Sequence, residues 1–409
     1  MERYLGLDFN QLKNLGGIHT AKEIAGQPSL WLKLIDLFEK KEEEIASFLN
    51  TCFPLINRIV LTGAGTSAYI GLSLQATFQK QFGIVTQAIP TTDLVTHPDD
   101  YFSEKERILL VSFARSGNSP ESVAAVKLAD MLCNQCYHLI ITCDENGGLA
   151  NYQANSKKMI LLLPPESNDK SLAMTGSYSG MLLAGLLVSR ISDLANAFNQ
   201  VKIISTYGQS ILSEYTDKLK AIGELDFSRA IFLGSGPFYG IATESHLKLQ
   251  ELTDGDIICK SETYLGFRHG PKAVVDNTTL VVYLFSNNVY AGLYENDLVL
   301  AMEKGQRPLA EVAVCETAPE SLTFDLCIQL SDKGKRVDED MLAVCCILPG
   351  QILGFFKSIK NGHKPDNPSE SGAISRVVEG VKIYDYNKPN SLSGNRAVSK
   401  VFKDVKIYK

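Results

Sequence analysis

The chain has 409 residues, 45% of them hydrophobic and 21% charged, with a formal net charge of −6. That is too long for one ordinary core and too apolar for a disordered chain, so two globular domains with some decoration are expected. No block of like charge stands out, which gives a nucleic-acid surface no support and leaves any anionic substrate to be met by local donors.

In chain order, residues 1–50 read as an amphipathic helical arm, without the apolar core of a signal peptide, so a cytoplasmic location is expected. Arg58-Ile-Val-Leu-Thr-Gly63-Ala-Gly65 is an apolar strand running into a glycine turn, and Thr66 and Ser67 open a helix after it. A second strand, 108–113, leads into Ala114-Arg115-Ser116-Gly117-Asn118-Ser119-Pro120-Glu121, and a helical run follows to Leu132. Cys133 and Cys136 form a lone CxxC before the strand His138-Leu-Ile-Ile-Thr-Cys143. No second pair stands at zinc-finger spacing, and the nine cysteines read as reduced, mostly buried thiols, with no metal site expected.

The pattern then repeats. Ala230-Ile-Phe-Leu-Gly234-Ser-Gly236 matches the first strand and turn, 280–285 matches the second strand, and Glu311-Val-Ala-Val-Cys315 matches the third. Continuously apolar strands alternating with helices predict parallel sheets covered on both faces. A unit of about 170 residues occurring twice therefore predicts α/β architecture with two tandem doubly wound domains, at 51–200 and 201–365. A helix over 196–215 should join them, and 366–409 should form a tail poor in helical pattern. The longest apolar run, 341–356, is short for a membrane span and is broken by Pro349 and Gly350, so no membrane partner is expected.

Ligands of open parallel sheets bind beyond the carboxyl ends of the strands. In the first repeat, Ser116-Gly117-Asn118-Ser119 places two hydroxyls and backbone N–H groups at a helix start, with Arg115 beside them, which suits a phosphate. Ser119 serving only as an N-cap is the plainer alternative. The second repeat has Ser286-Asn287-Asn288 there, without the Ser-Gly-x-Ser arrangement. It carries instead Glu244, Lys248 and Glu251 on one helical face, and His269 in the loop Arg268-His269-Gly270-Pro271. These could be a surface salt-bridge stripe, or a general base with its lysine and an acid-base histidine.

Gly63-Ala-Gly65-Thr66-Ser67 and Ser116-Gly117-Asn118-Ser119 resemble the ligand and phosphate loops of sugar isomerase (SIS) domains. Gly234 to Glu251 is similar to the catalytic helix region of the isomerase half of glucosamine-6-phosphate synthase, and Arg268-His269-Gly270-Pro271 to its histidine loop. Thr20 to Trp31 and the tail from Pro365 to Gly380 resemble a narrower group, the bacterial galactosamine-6-phosphate deaminase/isomerases, also called tagatose-6-phosphate ketose/aldose isomerases. That resemblance implies tandem flavodoxin-like SIS domains and a phosphorylated amino sugar as substrate, with no cofactor. Ser116, Gly117, Asn118 and Ser119 would hold the 6-phosphate, while Gly65, Thr66, Ser67, Ala114, Arg115 and Ser171 would line the sugar side. Glu251 would be the C2–C1 base, Lys248 would orient it, and His269 would open the ring from a partner subunit, implying at least a homodimer. Many members have serine and glutamine where this chain has Ala114 and Arg115, so the sugar epimer stays open. Residues 387–409 look like an extension. Plain aldose–ketose isomerisation or fructosamine-phosphate cleavage is the nearest alternative, and a sugar-phosphate-sensing regulator is the alternative of another class.

Overall fold

A computed structural model describes residues 2–370, 372–378 and 380–386; the expected extension 387–409 lies outside the described residues. The first half holds strands β1 (Arg58–Thr62), β2 (Thr86–Ala88), β3 (Arg107–Ala114), β4 (Gln135–Thr142) and β5 (Lys158–Leu162). They form one parallel sheet in the order β2-β1-β3-β4-β5. The second half holds β6 (Arg229–Leu233), β7 (Ile258–Glu262), β8 (Thr279–Leu284), β9 (Ala310–Cys315) and β10 (Leu326–Gln329). These repeat the same order, β7-β6-β8-β9-β10, again all parallel. The strand order turns back between β1 and β3 in one sheet and between β6 and β8 in the other, which is where such sheets open a ligand crevice.

Side chains along each strand alternate between two cores, as the two-residue period demands. Ile59, Leu61, Leu109, Val111 and Phe113 face a large central core shared with Phe232, Leu280, Val282 and Val312 of the other sheet. Val60, Ile108 and Leu110 face an outer cluster with helix α3 (Pro120–Leu132). The two halves are thus fused through one core rather than joined by a linker. Helices α1 (Ile18–Cys52), α2 (Thr66–Phe82), α4 (Gly176–Ser189), α5 (Leu194–Ser210), α6 (Phe238–Leu252), α8 (Glu339–Cys345) and α9 (Leu348–Lys360) contribute to that core. Every residue of α4 is buried, which explains why it has no polar face. The stretch Glu339–Lys360 is apolar enough to cross a membrane by composition, but 94% of its most apolar window is buried inside the protein.

The expected N-terminal arm is a helix built into the core, with Trp31 and Phe38 fully buried. Pro28 lies inside it and cannot donate to the carbonyl of Ile24; Gln27 Nε2 donates to that carbonyl instead, at 3.2 Å. The joining helix extends beyond α5 through a π-helical turn, Ile211–Tyr215, and a further helix, Thr216–Gly223.

Two contacts fix how the halves meet. Asp340, in the first turn of α8, takes both oxygens to Arg190 Nη2 at 2.6 and 2.7 Å and accepts Thr77 Oγ1 of α2 at 2.8 Å. Helices α2 and α6 approach so closely that a Cβ on Gly240 would meet Ser73 Oγ at 2.2 Å. Ser73 Oγ donates to the Pro237 carbonyl at 2.7 Å. Only glycine permits that approach, and the two helices run antiparallel from it, so two turns along α6 Lys248 meets Thr66 at the start of α2.

Candidate active site

A cavity of about 540 Å³ opens at the carboxyl ends of β1 and β3. One wall is the glycine turn after β1, with Gly65, Thr66 and Ser67; a second is the loop after β3, with Ala114, Arg115, Ser116, Gly117 and Ser119. Lys248 and Glu251 reach it from α6 of the other half, and residues 372–378 of the tail cover it.

The loop after β3 is shaped to leave donors free. Gly117 takes φ +66°, a conformation a side chain would resist. Its carbonyl accepts Leu149 N–H at 3.0 Å, and the Asn118 side chain accepts Gly148 N–H at 2.9 Å, which pins the loop from behind. Ser119 occupies the N-cap position of α3, yet its side chain makes no capping bond. The side-chain capping explanation therefore fails, and a helix N-terminus without a side-chain cap, with two half-buried serines beside it, has the donors that an anion would need. Asn118 is exposed and outside the cavity lining, its own N–H donating to Ser116 Oγ at 3.3 Å.

The stripe on α6 is buried rather than a surface feature. Lys248 is 1% exposed and Glu244 0% exposed. Lys248 Nζ is paired with Glu251, lies 3.4 Å from Glu244 Oε1 and donates to Thr66 Oγ1 at 3.1 Å. Burial alone lowers the lysine's pKa, but the two carboxylates overcome it and hold the ammonium above its usual range. Burial pushes Glu244 up to about 8 against the pull of Lys248. Glu251 has 23% of its side chain exposed, which leaves a carboxylate oriented by a buried ammonium and open to the cavity. Such a pair can take and return a proton at a bound carbon acid.

Besides Asn118, two sequence candidates lie outside the cavity lining. Ser171 is buried, with its hydroxyl held between the Glu23 carboxyl group and the Ala173 carbonyl, and it does not line the cavity, although Leu172 and Met174 of the same loop do. His269 is exposed and outside the cavity lining of its own chain. Arg115 does line the cavity, but its guanidinium is turned onto the carbonyls of Ser171, Leu172 and Arg376. Sequence reasoning did not single out Glu244 as a buried partner of Lys248 or the covering segment 372–378. The four-residue spacing to Lys248 names the first, but nothing in it gives the depth.

Among the described residues, one cluster has three donor side chains close enough for a metal: Asp130, Cys136 and His138. His138 spans it, with Nε2 2.8 Å from Asp130 Oδ1 and Nδ1 3.9 Å from Cys136 Sγ, and Tyr152 donates to Asp130 Oδ2 at 2.7 Å. The ring's two nitrogens face different partners, so this is a closed hydrogen-bond network at the far end of the sheet from the cavity.

The family model for SIS domains matches residues 56–189. The chain is 39% identical over 386 residues to D-galactosamine-6-phosphate deaminase AgaS of Shewanella sp. (strain ANA-3), covering 93% of this chain and 95% of that protein. Two crystal structures share its fold along most of their length. One, from Clostridium novyi NT, carries the provisional name tagatose-6-phosphate ketose/aldose isomerase; it is 40% identical with a TM-score of 0.91, covering 94% of this chain and all of that one. The other is tagatose-6-phosphate ketose/aldose isomerase from Escherichia coli, 34% identical with a TM-score of 0.83, covering 91% of this chain and 98% of that one.

Proposed function

The chain belongs to the SIS-domain family that includes the D-galactosamine-6-phosphate deaminases AgaS, and from that premise we propose that it is a deaminating isomerase converting D-galactosamine 6-phosphate to D-tagatose 6-phosphate and ammonia. One observation carries this reading: Lys248 and Glu251 from one half stand in the same cavity as Ser116 and Ser119 from the other. A phosphate grip identifies the substrate class, and a carboxylate steered by a buried lysine supplies the base that a sensor does not need.

Ser116, Ser119 and the backbone at Gly117 anchor the 6-phosphate at the start of α3. Anchoring holds C2–H beside Glu251 and so raises its effective concentration at the base. In the open-chain sugar, Glu251 removes the C2 proton, and the electron pair moves through C1 onto the aldehyde oxygen, which is protonated to give an enolamine. Lys248 stabilises the charge that develops. Return of the proton to C1 leaves a C2 imine, which water hydrolyses to the 2-ketose and ammonia.

His269 opens the pyranose ring, supplied by a second copy in a homodimer. Supporting that, Arg268 beside it is bound to Asp297 at 2.8 Å on helix α7 (Val289–Met302), which exposes Val289, Tyr290 and Leu293 as an apolar strip suited to a partner surface. The cytoplasm, where phosphorylated sugars are retained, is the fitting location. Incubation with galactosamine 6-phosphate and with glucosamine 6-phosphate, followed by an ammonium assay, tests the proposal. Ammonium from the galacto epimer is expected; a ketose without ammonium would mean plain isomerisation, and no product from either would end the reading.

A further inference from the structure

The tail reaches the cavity by a series of specific bonds. Beyond α9, Asp366 accepts Thr20 N–H at 2.8 Å, Thr20 Oγ1 at 2.9 Å and His19 N–H at 3.1 Å at the start of α1. Its N–H donates to the Gly16 carbonyl at 2.9 Å, and its carbonyl accepts Leu172 N–H at 3.0 Å. The chain is thereby tied to the loop 168–175 before it crosses the cavity. There two arginines exchange partners. Arg376 gives its guanidinium to that loop, Nε to the Asp169 carbonyl at 2.9 Å and Nη2 to Asn168 Oδ1 at 2.9 Å. Arg115 gives its own guanidinium back to the Arg376 carbonyl, and with its other nitrogen holds the carbonyls of Leu172 and Ser171 at 3.1 and 3.3 Å.

We propose that residues 372–378 are a strap forming the sugar-side wall of the site, and that Arg115 is a positioning residue that latches this strap instead of binding the substrate. The idea rests on the cavity being the sugar-phosphate site proposed above. Three lines of geometry support it. Arg115 is only 6% exposed, and its guanidinium bonds go to backbone carbonyls of the strap and of the loop under it. A planar guanidinium presents its donors in a fixed fork, so Arg115 fixes the direction of the carbonyls it holds, where a lysine ammonium is a compact donor on a flexible stem. The strap and the serine loop line one cavity from distant parts of the chain, so grip on the phosphate and fit to the sugar are built from different segments. Specificity among amino-sugar epimers then resides in the strap, with the sequence position of Arg115 adapted to hold it.

The test compares wild type with Arg115→Lys and with Arg376→Ala. The second variant alters an exposed side chain and spares the core if the first fails to fold. Hydrogen exchange at the amides of 372–378 should accelerate in both variants. KM for the amino-sugar phosphate should rise by about tenfold with kcat within about threefold, the loss of one charge-assisted hydrogen bond. Binding of inorganic phosphate, measured by calorimetry, should be unchanged. Unaltered exchange at 372–378 in both variants overturns the strap. Phosphate affinity falling in step with KM overturns it too, because it would place Arg115 on the ligand. If wild type releases no ammonium, the proposed function fails while the exchange data still decide the strap.

Discussion

The loops after β3 and β8 occupy the same place in the two sheets and make the same first bond. Asn118 N–H donates to Ser116 Oγ at 3.3 Å, and Asn288 N–H to Ser286 Oγ at 2.9 Å. From there they part. In the second half Asn288 caps its helix, accepting Tyr290 N–H at 3.0 Å, and Ser286 N–H is taken by Glu295 at 2.9 Å. Ser286 Oγ goes to Glu339, and Asn287 Nδ2 goes to Glu316 at 2.6 Å. Carboxylates of the chain itself take these donors, where the first half keeps a helix without a side-chain cap and serine hydroxyls that donate to no carboxylate among the described residues. The difference teaches that, on the proposed reading, an anion site in this fold depends on withheld internal partners, and that supplying them closes it. The second half closes this loop with its own carboxylates and contributes Lys248 and Glu251 of α6 to the cavity of the first.

This division of labour can be broken from either side. The largest effect is expected from Glu251→Gln, which keeps shape and removes the base: kcat should fall by about 10³, with KM little changed. Single-turnover assays would show it, and intact turnover would mean the base lies elsewhere. Next comes the double variant Ser116→Ala/Ser119→Ala. Losing two bonds to a charged phosphate should raise KM by about 10², leave kcat nearly intact and abolish inorganic phosphate binding.

Both sets of residues were legible in the sequence for a definite reason. Ser116 to Ser119 are contiguous, and Glu244, Lys248 and Glu251 are spaced by helical turns, so local pattern carries them. That both sheets share one strand order follows from the repeat. What local pattern does not carry is which half faces which. Lys248 reads equally as a surface ion pair until the glycine at 240 lets α6 press against α2 and bury it beside Thr66. Arg115 reads as a substrate cation until the tail, more than 250 positions on, supplies the carbonyl it binds. Ser171 likewise is claimed by Glu23 from the N-terminal helix.

Filling the second crevice with carboxylates has a cost that depends on pH. Glu295 is 1% exposed, and burial, aided by Glu339, pushes it up to about 8. A folded pKa above the unfolded value means that the folded state holds a proton the unfolded chain releases. The associated stability is complete below the ordinary carboxyl range near 4.5 and is lost as pH rises toward 8. Glu295→Gln removes that dependence at one site while keeping an acceptor for Ser286 N–H. Melting temperatures of the variant and wild type should be close at pH 5 and diverge at pH 8, with the variant more stable by on the order of 2 kcal/mol. A constant gap across pH would show that Glu295 is ionised in the fold and that the crevice is occupied by charge rather than by neutral acid.

The smallest expected effect is also the most direct comparison of the two halves. Ser286→Ala makes at the second loop the change that Ser116→Ala makes at the first. Ser286 Oγ serves Glu339 and Asn288 N–H, and Glu339 is only half-buried, so water can replace the lost donor. Stability should drop by about 1 kcal/mol, and both kcat and KM should stay within about twofold of wild type. Ser116→Ala should do the reverse, raising KM by about tenfold with little change in melting temperature, because among the described residues its Oγ serves the fold only by accepting Asn118 N–H at 3.3 Å and donates to no carboxylate. Equal losses of activity from the two variants would mean that the second crevice still takes part in the reaction, and the separation of binding from acid-base chemistry between the halves would fall.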